Sequence, residues 1–189
     1  SPYQSFSSFA GNPYFIDLDL LAEQGLLLRA EYENLDWGND EARVDYGKMY
    51  EQRYPLLRLA AKRFLVNLPE EFEEFCILHR DWLEDYALFM TIKGMNNGAS
   101  WLDWEENERK RNPFRMEEIR SVQEEEVLFW KVVQFFFYEQ WYALRKYANE
   151  KGISIIGDLP IYVALDSADI WANPSYFQLD EDLRPTQVA

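Results

Sequence analysis

Asp158 occupies a position at which a carboxylate can act on a bound molecule. It follows Ile153-Ser154-Ile155-Ile156-Gly157, a β-branched run that predicts a short strand, so the acid falls at the strand's carboxyl end. In (β/α)8 barrels that end carries the functional groups. The simpler assignment is that Asp158 caps the turn or pairs with an arginine, and an aspartate so placed can do both. Further carboxylates follow at Asp166, Asp169, Asp180, Glu181 and Asp182. The spacing Asp166-Ser167-Ala168-Asp169 lacks the alternating oxygen ligands and central glycine of an EF-hand, so helix capping and solvated turns are expected there, not a metal loop. With Cys76 as the single cysteine and His79 as the single histidine, an internal disulfide and a zinc-finger site are both excluded. Cys76 is expected as inert filler on an apolar helix face, and His79 as a structural residue.

Aromatic residues alternate with small polar ones in Ser1-Pro2-Tyr3-Gln4-Ser5-Phe6-Ser7-Ser8-Phe9, in Trp101-Leu102-Asp103-Trp104 and in Trp171-Ala172-Asn173-Pro174. Sugars stack their C–H faces on flat rings while amides, hydroxyls and carboxylates take their hydroxyl groups, so this mixture suits a glycan cleft. The core competes for the same rings. Phe6, Phe9, Phe129, Trp130, Phe135, Phe136 and Phe137 are expected to be core residues, the helical ones because they fall in one apolar run.

The elements that must position these groups are mostly helices. Leu57, Ala60, Ala61, Phe64, Leu65 and Leu68 repeat at helical spacing after Pro55 and predict an amphipathic helix broken at Asn67-Leu68-Pro69. A second helix is expected from Pro69, with Glu70, Glu71, Glu73 and Glu74 complementing its N-terminal dipole. A third is expected from an Asp81 cap to Gly94 and the turn Asn96-Asn97-Gly98. A single long helix is expected from about Met116 to Asn149, solvated over its acidic start and buried from Val127 to Tyr147. The stretch to Asp19 reads as a loop entering a short helix, Ile16 to Leu21, capped by Gly25. A buried helix, the Lys151-Gly152 stop and the Ile153–Ile156 strand make one α-to-β unit of a parallel sheet. One such strand cannot close a sheet by itself, so its neighbours are expected to lie in sequence not present here.

The chain of 189 residues carries 34 acidic and 19 basic side chains, a net charge of −15, which argues against nucleic acid as a partner. With 48% hydrophobic and 17% aromatic residues it can bury a core. Val127 to Tyr138, interrupted by Lys131 and Gln134, is shorter than the roughly 18 residues of a membrane span, so no membrane association is expected. The cysteine usage suits a reducing, cytoplasmic setting. The chain starts at Ser1-Pro2-Tyr3 without an initiator methionine and stops at Gln187-Val188-Ala189, and it is expected to be a piece of a longer polypeptide. The alternative is a small protein whose methionine has been removed.

Ser1-Pro2-Tyr3-Gln4-Ser5-Phe6-Ser7-Ser8-Phe9-Ala10-Gly11-Asn12-Pro13, continuing to Ile16-Asp17-Leu18, resembles the 4-α-glucanotransferase (amylomaltase, disproportionating enzyme) family. Gly157-Asp158-Leu159-Pro160-Ile161-Tyr162-Val163-Ala164, Asp166 to Pro174, and Phe177-Gln178-Leu179-Asp180 resemble a second block of that family. The resemblance implies an α/β fold, part of a modified (β/α)8 barrel carrying a large helical insertion and mainly helical within this segment. It implies residues 1–26 as a barrel loop and short helix, 27–115 as the helical insertion, and 116–189 as a barrel helix, strand and following loop. It implies a retaining transfer of α-1,4-glucan and maltooligosaccharide segments to an acceptor 4-hydroxyl, with no cofactor. Tyr3 matches a tyrosine that stacks near the scissile bond, with Ser1 and Gln4 beside it, and Asp158 matches the acid of the strand block. The family's catalytic carboxylates belong to motifs that do not occur in this chain, which alone is expected to be inactive. Trp104 is followed by Glu105 where the family often has proline, a departure that bears on the local backbone. A different class of function, a helical interaction or glucan-binding module without chemistry, remains the alternative.

Overall fold

The computed structural model describes residues 4–38, 40, 42–158 and 161–186. Its helices are α1 (Leu18–Glu23), α2 (Tyr46–Phe64), α3 (Glu70–Leu78), α4 (Arg80–Met95), α5 (Glu106–Arg109), α6 (Pro113–Val122), α7 (Glu124–Glu150) and α8 (Ala168–Ala172). Among the described residues no strand is formed, and the extended pairing is an isolated antiparallel bridge between Leu179 and Pro185. The strand expected at Ile153–Ile156 is therefore absent. Ile153, Ile155 and Ile156 are instead 59%, 44% and 94% exposed, because no neighbouring chain offers them a ladder.

The helices gather into two compact units of discontinuous sequence. The first comprises Ser1–Ala10, Cys76–Lys131 and Ile156–Ala189, the second Gly11–Phe75 and Val132–Ile155.

In the second unit Asp17 caps α1, accepting from the Asp19 and Leu20 amides at 2.8 and 3.4 Å, so the helix begins two residues after the expected Ile16. Gly25, at φ +75°, supplies the left-handed turn after it. Helix α2 starts from an Asp45 cap, with Pro55 in its interior. The helix thus extends N-terminal to Pro55 and does not start after it. Pro55 is tolerated at an exposed position, and Glu51, whose carbonyl loses its amide partner, is also exposed. The anticipated stripe is buried at Leu57, Ala60, Ala61 and Phe64, whereas Leu68 lies beyond the helix end and is exposed. Phe64 packs edge-on against Phe72 and Phe136 with centroids 5.6 and 5.2 Å apart, and Phe75 meets Phe135 at 5.5 Å. Arg63 forks onto both Glu31 oxygens at 2.7 Å, which holds that carboxyl down to about 2.

Two glutamines of α7 fasten the loop before α1. Gln134, fully buried, accepts from the Gly11 amide at 2.7 Å and donates to its carbonyl at 3.0 Å, and Gln140 does the same for Asp17 at 2.7 and 3.0 Å. Any side chain at Gly11 would overlap the Phe137 ring. Burial along α7 runs from Val127 to Phe136 and then fades, with Tyr142, Leu144 and Tyr147 being 43%, 56% and 60% exposed. The expected burial to Tyr147 is not found.

In the first unit α4 is the central element, buried without interruption from Tyr86 to Lys93. Its N-cap is His79, not Asp81, and Asn97 and Gly98 at positive φ turn the chain after it. The long helix expected from Met116 is two helices. Asn112 caps α6, Gln123 ends it, and Glu124, Glu125 and Glu126 form the first turn of α7, where their charge suits the positive end of a new dipole. No helix among the described residues is long and apolar enough to cross a membrane.

Candidate functional site

Gln4 is exposed, on 3-10 backbone, at the start of a strip whose residues 5–10 have no helix or ladder to hold them. Its fastening is local and specific. The buried Ser7 hydroxyl accepts from the Phe9 and Ala10 amides at 3.1 and 3.4 Å, folding the strip into a serine turn. The Phe6 carbonyl accepts from the Ala168 amide at 2.8 Å, and the Ser8 amide donates to Asp169 Oδ2 at 2.7 Å. The two sequence blocks singled out above are thus joined: the aromatic-serine strip lies on the first turn of α8.

Phe6 and Phe9 are not core residues, being 38% and 57% exposed. Phe6 lies near Phe89 at 6.3 Å with the Lys93 ammonium 4.9 Å from its centroid, and Phe9 stacks on Trp82 at 6.2 Å. Each retains open surface on which an apolar sugar face can rest. The tryptophans are the reverse. Trp101, Trp104 and Trp171 are 0%, 3% and 1% exposed, and each indole N–H is bonded internally, to Leu165, Ala99 and Glu108 carbonyls respectively. They are core, not cleft.

Under the strip lies a buried cation. Lys93 donates to Asp166 Oδ2 at 2.6 Å and to the Ala99 carbonyl at 3.1 Å, while Asp166 Oδ1 accepts from the Trp101 amide at 3.3 Å. Neither Asp166 nor Asp169 is placed as a metal ligand, and among the described residues no three His, Cys, Asp or Glu side chains gather. Ser167, wholly buried, caps α8. Sequence reading missed Lys93 and the long-range roles of Asp166 and Asp169; a charged side chain ending the apolar run Leu88 to Ile92 was the available signal for Lys93. Removing Asp166 would strand that ammonium. Asp166→Ala is expected to lower stability by about 2–3 kcal/mol, and Lys93→Met in the same background to recover part of the loss, as read from urea midpoints.

The remaining sequence candidates stand apart from this cluster. Ser1 and Tyr3 lie outside the described residues. Asp158 is exposed on irregular backbone, and no hydrogen bond among the described residues joins it to the strip. His79 accepts from the Trp82 indole N–H at 3.2 Å, and burial pulls its pKa down, in keeping with a structural role. In the second unit, Tyr50 and Tyr54 pack at 4.8 Å beside Tyr14 and Tyr46, with Tyr46 and Tyr50 exposed and burial pushing the Tyr54 hydroxyl up to about 12.

Exposed rings, an amide and a carboxylate are groups that hold a neutral polyhydroxyl ligand. Residues 1–184 match the family model described as 4-alpha-glucanotransferase. The chain belongs to the 4-alpha-glucanotransferase family. It is 49% identical over 193 residues to the 4-alpha-glucanotransferase of Thermus thermophilus and 45% identical over 191 residues to that of Streptococcus pneumoniae, covering all of this chain and 38% of each relative. It also superposes on an amylomaltase from Streptococcus agalactiae solved in complex with acarbose, with a TM-score of 0.95 at 39% identity, over all of this chain and 39% of that one. The chain therefore spans under half the length of these family members. Glu105 has φ −56° and ψ 151°, a backbone conformation that proline also adopts, at the entry to α5.

Proposed function

We propose that the full-length protein carrying this chain is a retaining 4-α-glucanotransferase. It cleaves an α-1,4-glucan and passes the glycosyl group to the 4-hydroxyl of another maltooligosaccharide, water being a poor acceptor. What carries this reading is the match of the whole chain, at a TM-score of 0.95, to an amylomaltase solved with acarbose. Residues 27–115 then form a helical insertion, and 1–26 with 116–189 supply part of a modified (β/α)8 barrel in which Ile153–Ile156 finds its neighbours. Ser1, Tyr3, Gln4 and Asp158 contact the glucan. The nucleophile and the acid/base lie in sequence beyond this chain, no cofactor takes part, and the setting is cytoplasmic.

The chemistry assigns separate tasks to these groups. A tyrosine ring can stack on a glucosyl face while the Gln4 amide and the Asp158 carboxylate take hydroxyl groups, leaving a retaining pair of carboxylates free to act on the anomeric carbon. Asp158→Asn in the full-length protein is expected to lower kcat/KM by about tenfold or more, because an oriented charge is lost from the carboxyl end of a barrel strand. The proposal itself is tested by incubating that protein with maltotriose. Glucose appearing together with oligomers longer than maltotriose supports it; unchanged maltotriose, or glucose and maltose alone, refutes it.

A further inference from the structure

We propose that Asp169 is a positioning residue for glucan recognition, clasping the Ser7–Ser8 turn so that the strip beginning at Gln4 is held in one place; this rests on the reading that Gln4 meets the glucan. Asp169 reaches a segment 161 positions away in the chain, accepting from the Ser8 amide at 2.7 Å. The Ser7 and Ser8 hydroxyls on the same turn lower the pKa of that carboxylate. Its neighbour in α8 adds a further tie, the Ala168 amide to the Phe6 carbonyl at 2.8 Å. The two ties run in opposite directions, one donated by the strip and one accepted by it, and pin the turn to the first residues of α8 on both sides of Ser7.

The helix does not need this carboxylate. Ser167 caps α8 through its own hydroxyl, which accepts from the Ile170 amide at 3.4 Å. Burial raises the Asp169 pKa against the lowering effect of the serine bonds, so the charge is held at some cost. The strip has the opposite problem. Residues 4–10 lack a ladder, and a binding segment of that kind is precise only where a rigid element holds it. Helix α8 is rigid, since Ala168, Ile170 and Trp171 are all buried.

The test uses the full-length protein with maltotriose. Asp169→Ala is expected to lower kcat/KM by about tenfold, while Asp169→Asn, which keeps an acceptor for the Ser8 amide, stays within about threefold of the unsubstituted protein. Gln4→Ala should cost several-fold in the native background but less than about twofold in the Asp169→Ala background, since a displaced strip no longer presents the amide. Additive effects, or an asparagine variant as impaired as the alanine one, would overturn the assignment. Hydrogen exchange of the peptide containing residues 4–10 gives a readout independent of activity. Faster exchange in Asp169→Ala, restored in Asp169→Asn, supports the clasp, and unchanged exchange refutes it. If the unsubstituted protein redistributes no maltotriose, the preceding reading fails, and exchange alone decides the clasp.

Discussion

The 189-residue chain by itself is expected to give no detectable transfer from maltotriose, while the full-length protein turns it over. Retaining glycoside chemistry uses two carboxylates about 5–5.5 Å apart, one attacking the anomeric carbon and the other moving a proton. Many of the described carboxylates already have other partners. Asp166 holds Lys93, Asp169 the serine turn, Asp85 Arg111, Glu84 Lys131, and Glu108 receives Arg115 at 2.7 Å and Asn96 at 3.1 Å. Glu71 and Glu139 come nearer to an acid and base, since they line a cavity of about 620 Å³ and burial plus the Glu71 charge raises the Glu139 pKa. The rings beside them, Phe64 and Phe135, are buried against each other at 5.4 Å and leave no open face for a sugar. Product formation by the isolated chain, followed as glucose and oligomer release, would place the reacting carboxylates among those present.

Trp171→Ala should be the most destabilising single substitution in the first unit, by about 3–5 kcal/mol. The ring is 1% exposed, meets Trp104 edge-on at 5.8 Å and Phe89 at 5.8 Å, and carries the Arg111 guanidinium 4.2 Å above it. Truncation leaves a cavity, removes a cation–π contact and deprives the Glu108 carbonyl of the indole N–H it accepts at 3.0 Å. Because α8 carries Asp169, loss of Trp171 also loosens the strip bearing Gln4. The control is Tyr176→Ala, 83% exposed and expected to change stability by under about 0.5 kcal/mol. Urea midpoints of the two variants, compared at constant slope, provide the check; similar values would show that Trp171 is not a keystone of this core.

Local periodicity made part of this fold legible and long-range packing accounts for the rest. The Leu57–Phe64 stripe is readable because a helix face repeats within its own sequence. Pro55 misled for the opposite reason: a proline usually marks a helix start, and only its exposed position permits it inside α2. The run Glu124 to Glu126 looked like a solvated flank of one helix but opens a second, since acidic residues suit both places. Trp101, Trp104 and Trp171 sit among polar residues, as cleft aromatics do, yet each hides its N–H on a carbonyl that no sequence spacing identifies. The strand at Ile153–Ile156 has the right composition and lacks partners to pair with. Gln4 and Asp158 are picked out by the resemblance, and of the two only Gln4 opens the strip while Asp158 stands apart from it; the contact between Ser8 and Asp169 spans nearly the whole chain and leaves no local trace.

The central claim is glycosyl transfer by the full-length protein, and isotopic labelling of the acceptor tests it most directly. Unlabelled maltotriose is supplied as donor with carbon-13 glucose as acceptor, and the products are resolved by chain length and mass. Transfer predicts labelled glucose at the reducing end of maltose and longer oligomers from the earliest time points. Donor consumption that leaves all the label in free glucose would mean that water, not a sugar, accepts the glycosyl group, and would contradict the account.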